Sequence, residues 1–425
     1  MLRLTMAAAR RLGIFGLIIS GLCVSVDALT LSVTAGDWPG WRGPNRDDVS
    51  TETGLLPSWP SEGPKKLWTS SDAGLGYSGL AVVGDVIYTM GADEAGESLL
   101  ALKAADGTKI WSTPVGSLLE NGWGNGPRST PTYADGHVVG IGGQGDVVCV
   151  SAADGSVKWK ASFTELGGSV PKWGFSESVL IDGDAVICTP GGAQGTLVCF
   201  DLKTGEKRWQ SSEVTVDAHY SSVIVVDHFG KKQYIQLTEK KVFGVDADGK
   251  LQWQADWTGS VAVIPTPIYK DGQVYVTSGY GAGCMLLNIS PNNEVQKLYE
   301  NKIMKNHHGG VILLGDYLYG HSDADGWICQ KLESGEKVWS NEGKNDSKGC
   351  LTFADGKLIC LEEQTGNCIL AEASSEGWKE ISRFKMEPQT TKRSNRGKIW
   401  THPVVANGKL YLRDQEIISC YDISQ

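Results

Sequence analysis

Cys199-Phe200-Asp201-Leu202-Lys203-Thr204-Gly205-Glu206-Lys207-Arg208-Trp209 is the clearest copy of a phrase that recurs along this chain. An apolar run enters a short polar turn with glycine, and a tryptophan follows four residues after the glycine. The phrase returns at 101–111 (ALKAADGTKIW), 150–159 (VSAADGSVKW), 244–253 (GVDADGKLQW) and 330–339 (QKLESGEKVW). Two worn copies end in Tyr299 and Phe384, and the first aromatic of the series is Trp68. From Trp68 onward the spacings are 43, 48, 50, 44, 46, 40 and 45 residues.

A period near 45 residues is that of four-stranded propeller blades. Each unit carries a second turn upstream, such as Ala134-Asp135-Gly136, Lys270-Asp271-Gly272 or Ala406-Asn407-Gly408. Asp-Gly and Asn-Gly supply the positive φ angles that a tight hairpin needs. Short β-branched or aromatic runs flank these turns, for example Val274-Tyr275-Val276 and Leu410-Tyr411-Leu412. Each unit therefore reads as two hairpins, hence four strands. The last unit, Thr401–Ser424, stops after three strands, and Lys65–Ser70 is an outer strand with none before it. Joined, they make one more blade and leave no long sheet edge exposed. The expectation is an all-β, eight-bladed β-propeller over residues 65–425. Each repeat indole should pack between neighbouring blades and donate its N–H to a carbonyl of the adjacent repeat.

The arrangement resembles the quinoprotein-alcohol-dehydrogenase-like, or PQQ-like, eight-bladed propellers, whose repeat reads A-x-D-x-x-T-G-x-x-x-W. Asp201, Thr204, Gly205 and Trp209 match it. Within that superfamily, and among WD40- or YVTN-like repeats generally, the chain looks most like secreted planctomycete PQQ-like repeat proteins. The resemblance runs from Asp37 to Ser424. It implies a fold more firmly than a chemistry, because outer-membrane assembly lipoproteins share the repeat and are not enzymes.

The 425 residues carry a net charge of −10. An acidic balance argues against nucleic acid and anionic membrane surfaces as partners. Residues 1–28 read as an export signal: Arg10-Arg11 precede the apolar stretch Leu12–Val26, and cleavage is expected after Ala28 or Ala35. With the signal gone, no membrane span is expected, and the mature protein is read as a periplasmic or secreted monomer. Residues 29–64 form a Pro-, Gly- and Trp-rich lead-in, with Trp38 and Trp41 expected on the propeller wall. Arg42 and Arg46 read as parts of a structural plug. Cys149, Cys199 and Cys329 occupy one repeated slot, about 10 Å apart between blades and beyond disulfide reach of about 7 Å. They read as small buried apolar residues. Pairing of Cys188 with Cys199, or of Cys360 with Cys368, stays open.

The loops that cross from each outer strand to the next inner strand surround the channel mouth, and they hold the unusual residues. Residues just before an inner strand point at the axis, so Arg128, Glu177, His219, His308, Lys348 and His402 are expected to converge, joined by Arg393 and Trp400. Three readings compete. One is a metal site on histidines with Glu177, although no known ligand spacing appears. The second is a site for a small polar or anionic ligand on the cations, with Trp400 or Trp123 as stacking faces. The third is a capped channel with ordered water. The family resemblance implies PQQ with calcium. It also implies an adjacent Cys-Cys pair and a calcium site of Glu, Asn and Asp, and this chain has no adjacent cysteines. The expectation is a non-catalytic platform for a protein partner or small ligand. The alternative is a PQQ-dependent, polyvinyl-alcohol-dehydrogenase-like alcohol dehydrogenase.

Overall fold

The computed structural model describes residues 33–34, 36–341 and 347–425. The predicted export signal and both candidate cleavage positions lie outside these residues. Regular structure among the described residues is all strand, gathered into eight four-stranded antiparallel sheets. In chain order the blades span 81–116, 132–162, 180–210, 224–256, 268–301, 311–340 and 349–385. The eighth combines 404–422 with Lys65–Ser70. Lys65–Ser70 pairs antiparallel with Ile417–Asp422, from Lys65 opposite Asp422 to Ser70 opposite Ile418. The N-terminal strand thus closes the ring, as its isolated position in the sequence predicts.

The repeated aromatic fastens each blade to the next. Indole N–H groups donate to backbone carbonyls one blade on: Trp68 to Ala104 (3.0 Å), Trp111 to Ala152 (3.1 Å), Trp159 to Leu202 (2.7 Å), Trp209 to Ala247 (2.8 Å) and Trp339 to Ser374 (2.9 Å). Tyr299 does the same through its hydroxyl, to Leu332 (2.8 Å). The fourth blade differs. Trp253 donates to the Gln233 side chain (2.8 Å), whose amide reaches Asn293 of the fifth blade (2.9 Å). The turn it would otherwise meet is Ser290-Pro291-Asn292-Asn293, which departs from the repeat.

The glycine of the phrase is required twice. Gly205 has φ +73°, and a Cβ there would lie 2.5 Å from Cγ of Trp159. The turn glycine of one blade is therefore the seat of the preceding blade's indole.

The lead-in is a plug rather than a wall covering. It enters at the tight-turn face, where Asp37 accepts from Gly84 N–H (2.8 Å) and Trp38 bridges Val82. It climbs the channel to Trp41, whose indole donates to Thr266 Oγ1 (3.0 Å). It then descends: Val49 forms a parallel bridge to Phe353, and Leu55 N–H meets Asp355 (3.0 Å). On the way Arg42 bonds Val311 O (2.6 Å) and Asp48 (2.6 Å), while Arg46 bonds Ser178 O (2.7 Å) and Val179 O (2.8 Å). Both guanidiniums are buried and satisfied largely by carbonyls that open inner strands. Trp38 is not on the outer wall but buried between the first and eighth blades, beside Val82 and Tyr411.

All nine cysteines described are free and buried. Cys188 faces Val198 and Ile187 faces Cys199 across the hairpin, so the two thiols sit on opposite sheet faces. The same one-residue offset separates Cys360 from Cys368.

Trp159 is buried, whereas Trp209 is half-buried at the rim. Trp159→Ala is expected to cost roughly 3–5 kcal/mol in urea unfolding, and Trp209→Ala less. Equal losses, or a loss below about 1 kcal/mol at Trp159, would count against the staple.

Candidate functional site

The crossing loops converge over the plug and leave a cavity of about 150 Å³ at the channel mouth. Its lining includes Trp41, Tyr77, Trp123, Trp173, Tyr220, Tyr280 and Trp400, with Arg128, Ser176, His307 and His308 among them. Trp41, at the top of the plug, also lies 4.5 Å from the His402 ring. Trp400 stands against Tyr77 (ring centroids 4.8 Å) and Trp123 (6.4 Å), and Trp173 against Tyr220 (5.7 Å). Glycines make this crowding possible. A Cβ at Gly124 or Gly397 would strike the Tyr77 hydroxyl, which donates to Trp123 O (2.7 Å).

Arg128 donates to the carbonyls of Gly126 (2.6 Å) and Gly124 (2.8 Å) and lies 5.4 Å over the Tyr77 ring. No carboxylate forms an ion pair with it among the described residues. Burial draws its pKa below the ordinary value, partly offset by Tyr77. Lys348 approaches His307 Nδ1 (3.1 Å) and Asp323 (2.9 Å), and sits 5.1 Å over Tyr280. Burial, with the neighbouring His308 and Lys348 charges, holds His307 well below its usual pKa. An ammonium can only donate, so neutral His307 accepts at Nδ1 and carries its proton on Nε2.

Beneath the pocket runs a polar relay. His308 Nε2 lies 2.7 Å from Glu363 Oε2, which also accepts the Trp400 N–H (2.8 Å). His308 Nδ1 lies 3.3 Å from Cys350 Sγ. Burial opposes the charge on His308, but Cys350 and Glu363 outweigh it and raise the imidazole to about 9. Glu363 falls to about 2: burial opposes this, and the bond and charge of His308 prevail. Burial would also raise the Cys350 thiol, yet His402 and His308 bring it to about 7.

Three of the eight residues expected to converge line the cavity: Arg128, His308 and Trp400. Lys348 stands at its rim. His402 lies below, between Asp48 (3.2 Å) and His308 O (3.0 Å). His219 sits behind Tyr220 (4.5 Å), with Nδ1 accepting from Val263 N–H (2.9 Å). Glu177 is deeper, bonded to Thr189 N (2.6 Å) and Oγ1 (2.8 Å), and burial lifts it to about 7. Arg393 is tied aside to Asp414. Sequence reasoning missed Trp41, Tyr77, Tyr220, Tyr280, Glu363 and Cys350. Tyr77 and Tyr220 carry the same positional signal as Arg128, because they too end crossing loops. Tyr280 tops a hairpin, and Trp41 comes from the lead-in.

A calcium–PQQ pair needs several free oxygen ligands. Among the described residues no three His, Cys, Asp or Glu could hold a metal together. The carboxylates nearest the pocket are engaged, Glu363 by His308 and Trp400, and Asp323 by Lys348. The plug fills the axis below. The residues present do not fit such a pair.

The fold and site together define an eight-bladed propeller with a closed channel and an aromatic-walled mouth. The family model described as outer membrane protein assembly factor BamB matches residues 95–341, more than half of the chain, and the chain belongs to this family of PQQ-like propellers. No curated protein matches the sequence. Among solved structures, BamB from Moraxella catarrhalis is similar at 15% identity and a TM-score of 0.59, over 84% of this chain and 99% of that one. A quinohemoprotein alcohol dehydrogenase from Pseudomonas putida HK5 is similar at 11% identity and 0.62, over 92% and 80%. Another from Comamonas testosteroni reaches 10% and 0.60, over 92% and 81%. At these identities the likeness is one of fold, and the fold hosts both an assembly factor and dehydrogenases.

The relay carries a pH signature. His308 is raised from 6.5 to about 9, so its stabilisation is full below 6.5 and lost as pH rises through about 9. Glu363 is lowered from 4.5 to about 2, so its share is present above 4.5 and lost as pH falls through about 2. Cys350 has the opposite sign to His308, present above 9.0 and lost as pH falls through about 7. In a Cys350→Ser background, where Glu363 alone of the pair still raises His308, Glu363→Gln should therefore lower Tm most between pH 4.5 and 6.5 and matter progressively less as pH rises above 6.5. A Tm difference independent of pH would contradict the ion pair.

Proposed function

We propose that this protein is an exported, periplasmic or secreted binding propeller, whose channel-mouth pocket takes a small polar or anionic ligand without PQQ-dependent oxidation. The observation that carries this reading is Arg128: a guanidinium in a pocket of aromatic rings, bonded to its own loop's carbonyls and paired with no carboxylate among the described residues. Such a cation still has N–H groups to offer an anion. Lys348 at the rim, paired with Asp323, adds a second N–H donor.

Export rests on Arg10-Arg11 followed by the apolar stretch to Val26. The BamB description of the family favours a protein partner at the same broad face as the second reading. An alcohol dehydrogenase reading lacks free carboxylates near the mouth among the described residues. It would have to use Glu177, which is buried and bonded to Thr189 rather than lining the pocket.

The test uses mature protein with PQQ and calcium, an artificial electron acceptor and a panel of alcohols. The expected outcome is no turnover, no change in PQQ absorbance and no thermal shift. Saturable turnover that Glu177→Gln abolishes, with folding intact, would replace this reading with the dehydrogenase.

A further inference from the structure

We infer that the mouth pocket selects a single-ring anion, one ring bearing one carboxylate, of which an aromatic acid and an acidic sugar are the two sources. This rests on the reading that the pocket binds a small ligand, and it names the class. Three independent features lead to it.

The first is the inventory of polar groups. No Asp or Glu lines the cavity among the described residues. Arg128 can only donate. His307 has Nδ1 occupied by Lys348, which leaves an Nε2–H donor. His308 is an imidazolium with both nitrogens engaged, and it contributes positive charge. The indole N–H groups of Trp41 and Trp400 are directed away, to Thr266 and Glu363, so these two side chains offer ring faces. A site of donors and cations is matched by a ligand of acceptors. A cationic ligand would meet Arg128, which no described carboxylate neutralises, while His308 and Lys348 are already paired with Glu363 and Asp323.

The second is the wall. Tyr77, Trp123 and Trp400 form one aromatic cluster and Trp173 with Tyr220 another. Ring faces gain from stacking on a flat or chair-shaped ring, which a bare inorganic anion lacks.

The third is size. About 150 Å³ is the scale of a cavity that accepts one benzene ring. Trp41 closes the floor, so a ligand cannot extend down the axis. A fused tricyclic tricarboxylate exceeds this space, which separates the class from PQQ.

Titration calorimetry of the mature protein with benzoate and with D-glucuronate would test the inference. Benzamide and methyl glucoside serve as neutral counterparts, benzylamine as the cation and acetate as the ringless anion. At least one ring carboxylate should bind, with its neutral counterpart, benzylamine and acetate each about ten-fold weaker or more. Arg128→Gln should weaken it by about ten-fold or more while sparing the neutral probes. Where Arg128→Gln lowers Tm, Arg396→Gln is the substitute, because Arg396 lies over Trp123 at the exposed rim and should weaken anion binding more at low salt. The aromatic and sugar acids tell the two sources apart. Neutral rings that bind as well as the acids, and are lost on Trp400→Phe, would overturn the class and leave the pocket as a ligand site. Acetate binding as tightly as benzoate would overturn the ring requirement. Failure of every probe would overturn class and pocket together.

Discussion

The bond from an indole N–H to a carbonyl of the next blade is the interaction on which the rest depends. A four-stranded sheet has two apolar faces and cannot bury either alone. Trp68, Trp111, Trp159 and Trp209 each tie their blade to the following one and rest on that blade's turn glycine, so a polar bond and a packing contact fix the same distance. Because the contact pairs blade with neighbour, the stability of the ring accumulates by interfaces. The fourth blade keeps the link by inserting Gln233 between Trp253 and Asn293. This shows that the connection is kept where the residue pattern is not.

The lead-in solves a different problem. Eight blades leave an axial hole lined by the inner strands, whose opening residues present unpaired carbonyls. Arg42 and Arg46 satisfy carbonyls of the third and sixth blades from inside the hole. Buried cations of this kind are tolerated when their donors find acceptors, and Asp48 offsets one of them. The consequence for the site is geometric. The channel becomes a blind pocket whose floor, Trp41, belongs to a segment outside the repeat.

Much of the fold was legible because the information is periodic. The Gly-x-x-x-Trp turn, the Asp-Gly hairpins and the split last unit each state a local constraint that repeats, and repetition separates signal from chance. The site was legible only where it followed from the same period. Arg128, His308 and Trp400 precede inner strands, and the fold carries them to the mouth. Glu177 and His402 have that position too, but Thr189 holds Glu177 aside and the plug covers His402, and nothing in the repeat announces where a lead-in will thread. Arg393 sits in a crossing loop long enough to turn aside to Asp414. Cys350 lies on a strand of the seventh blade and Glu363 in the turn just past the strand paired with it, where the pattern reads them as ordinary strand and turn residues. Their closeness to His308 is a matter of three dimensions.

The threading of the lead-in also ties the site to the whole ring. Residues 36–64 precede every blade in the sequence, yet the walls that enclose them come from every part of the chain up to residue 422. The ring closes where Lys65–Ser70 meets Ile417–Asp422, directly after the segment that fills the axis. The blades surround that segment as staves surround a rod, and Trp41 meets Thr266 and His402 only in the finished ring. The mouth pocket is thus a property of the complete chain. A clipped molecule that lacks the lead-in has no floor however many sound blades it keeps, so ligand competence requires the whole ring.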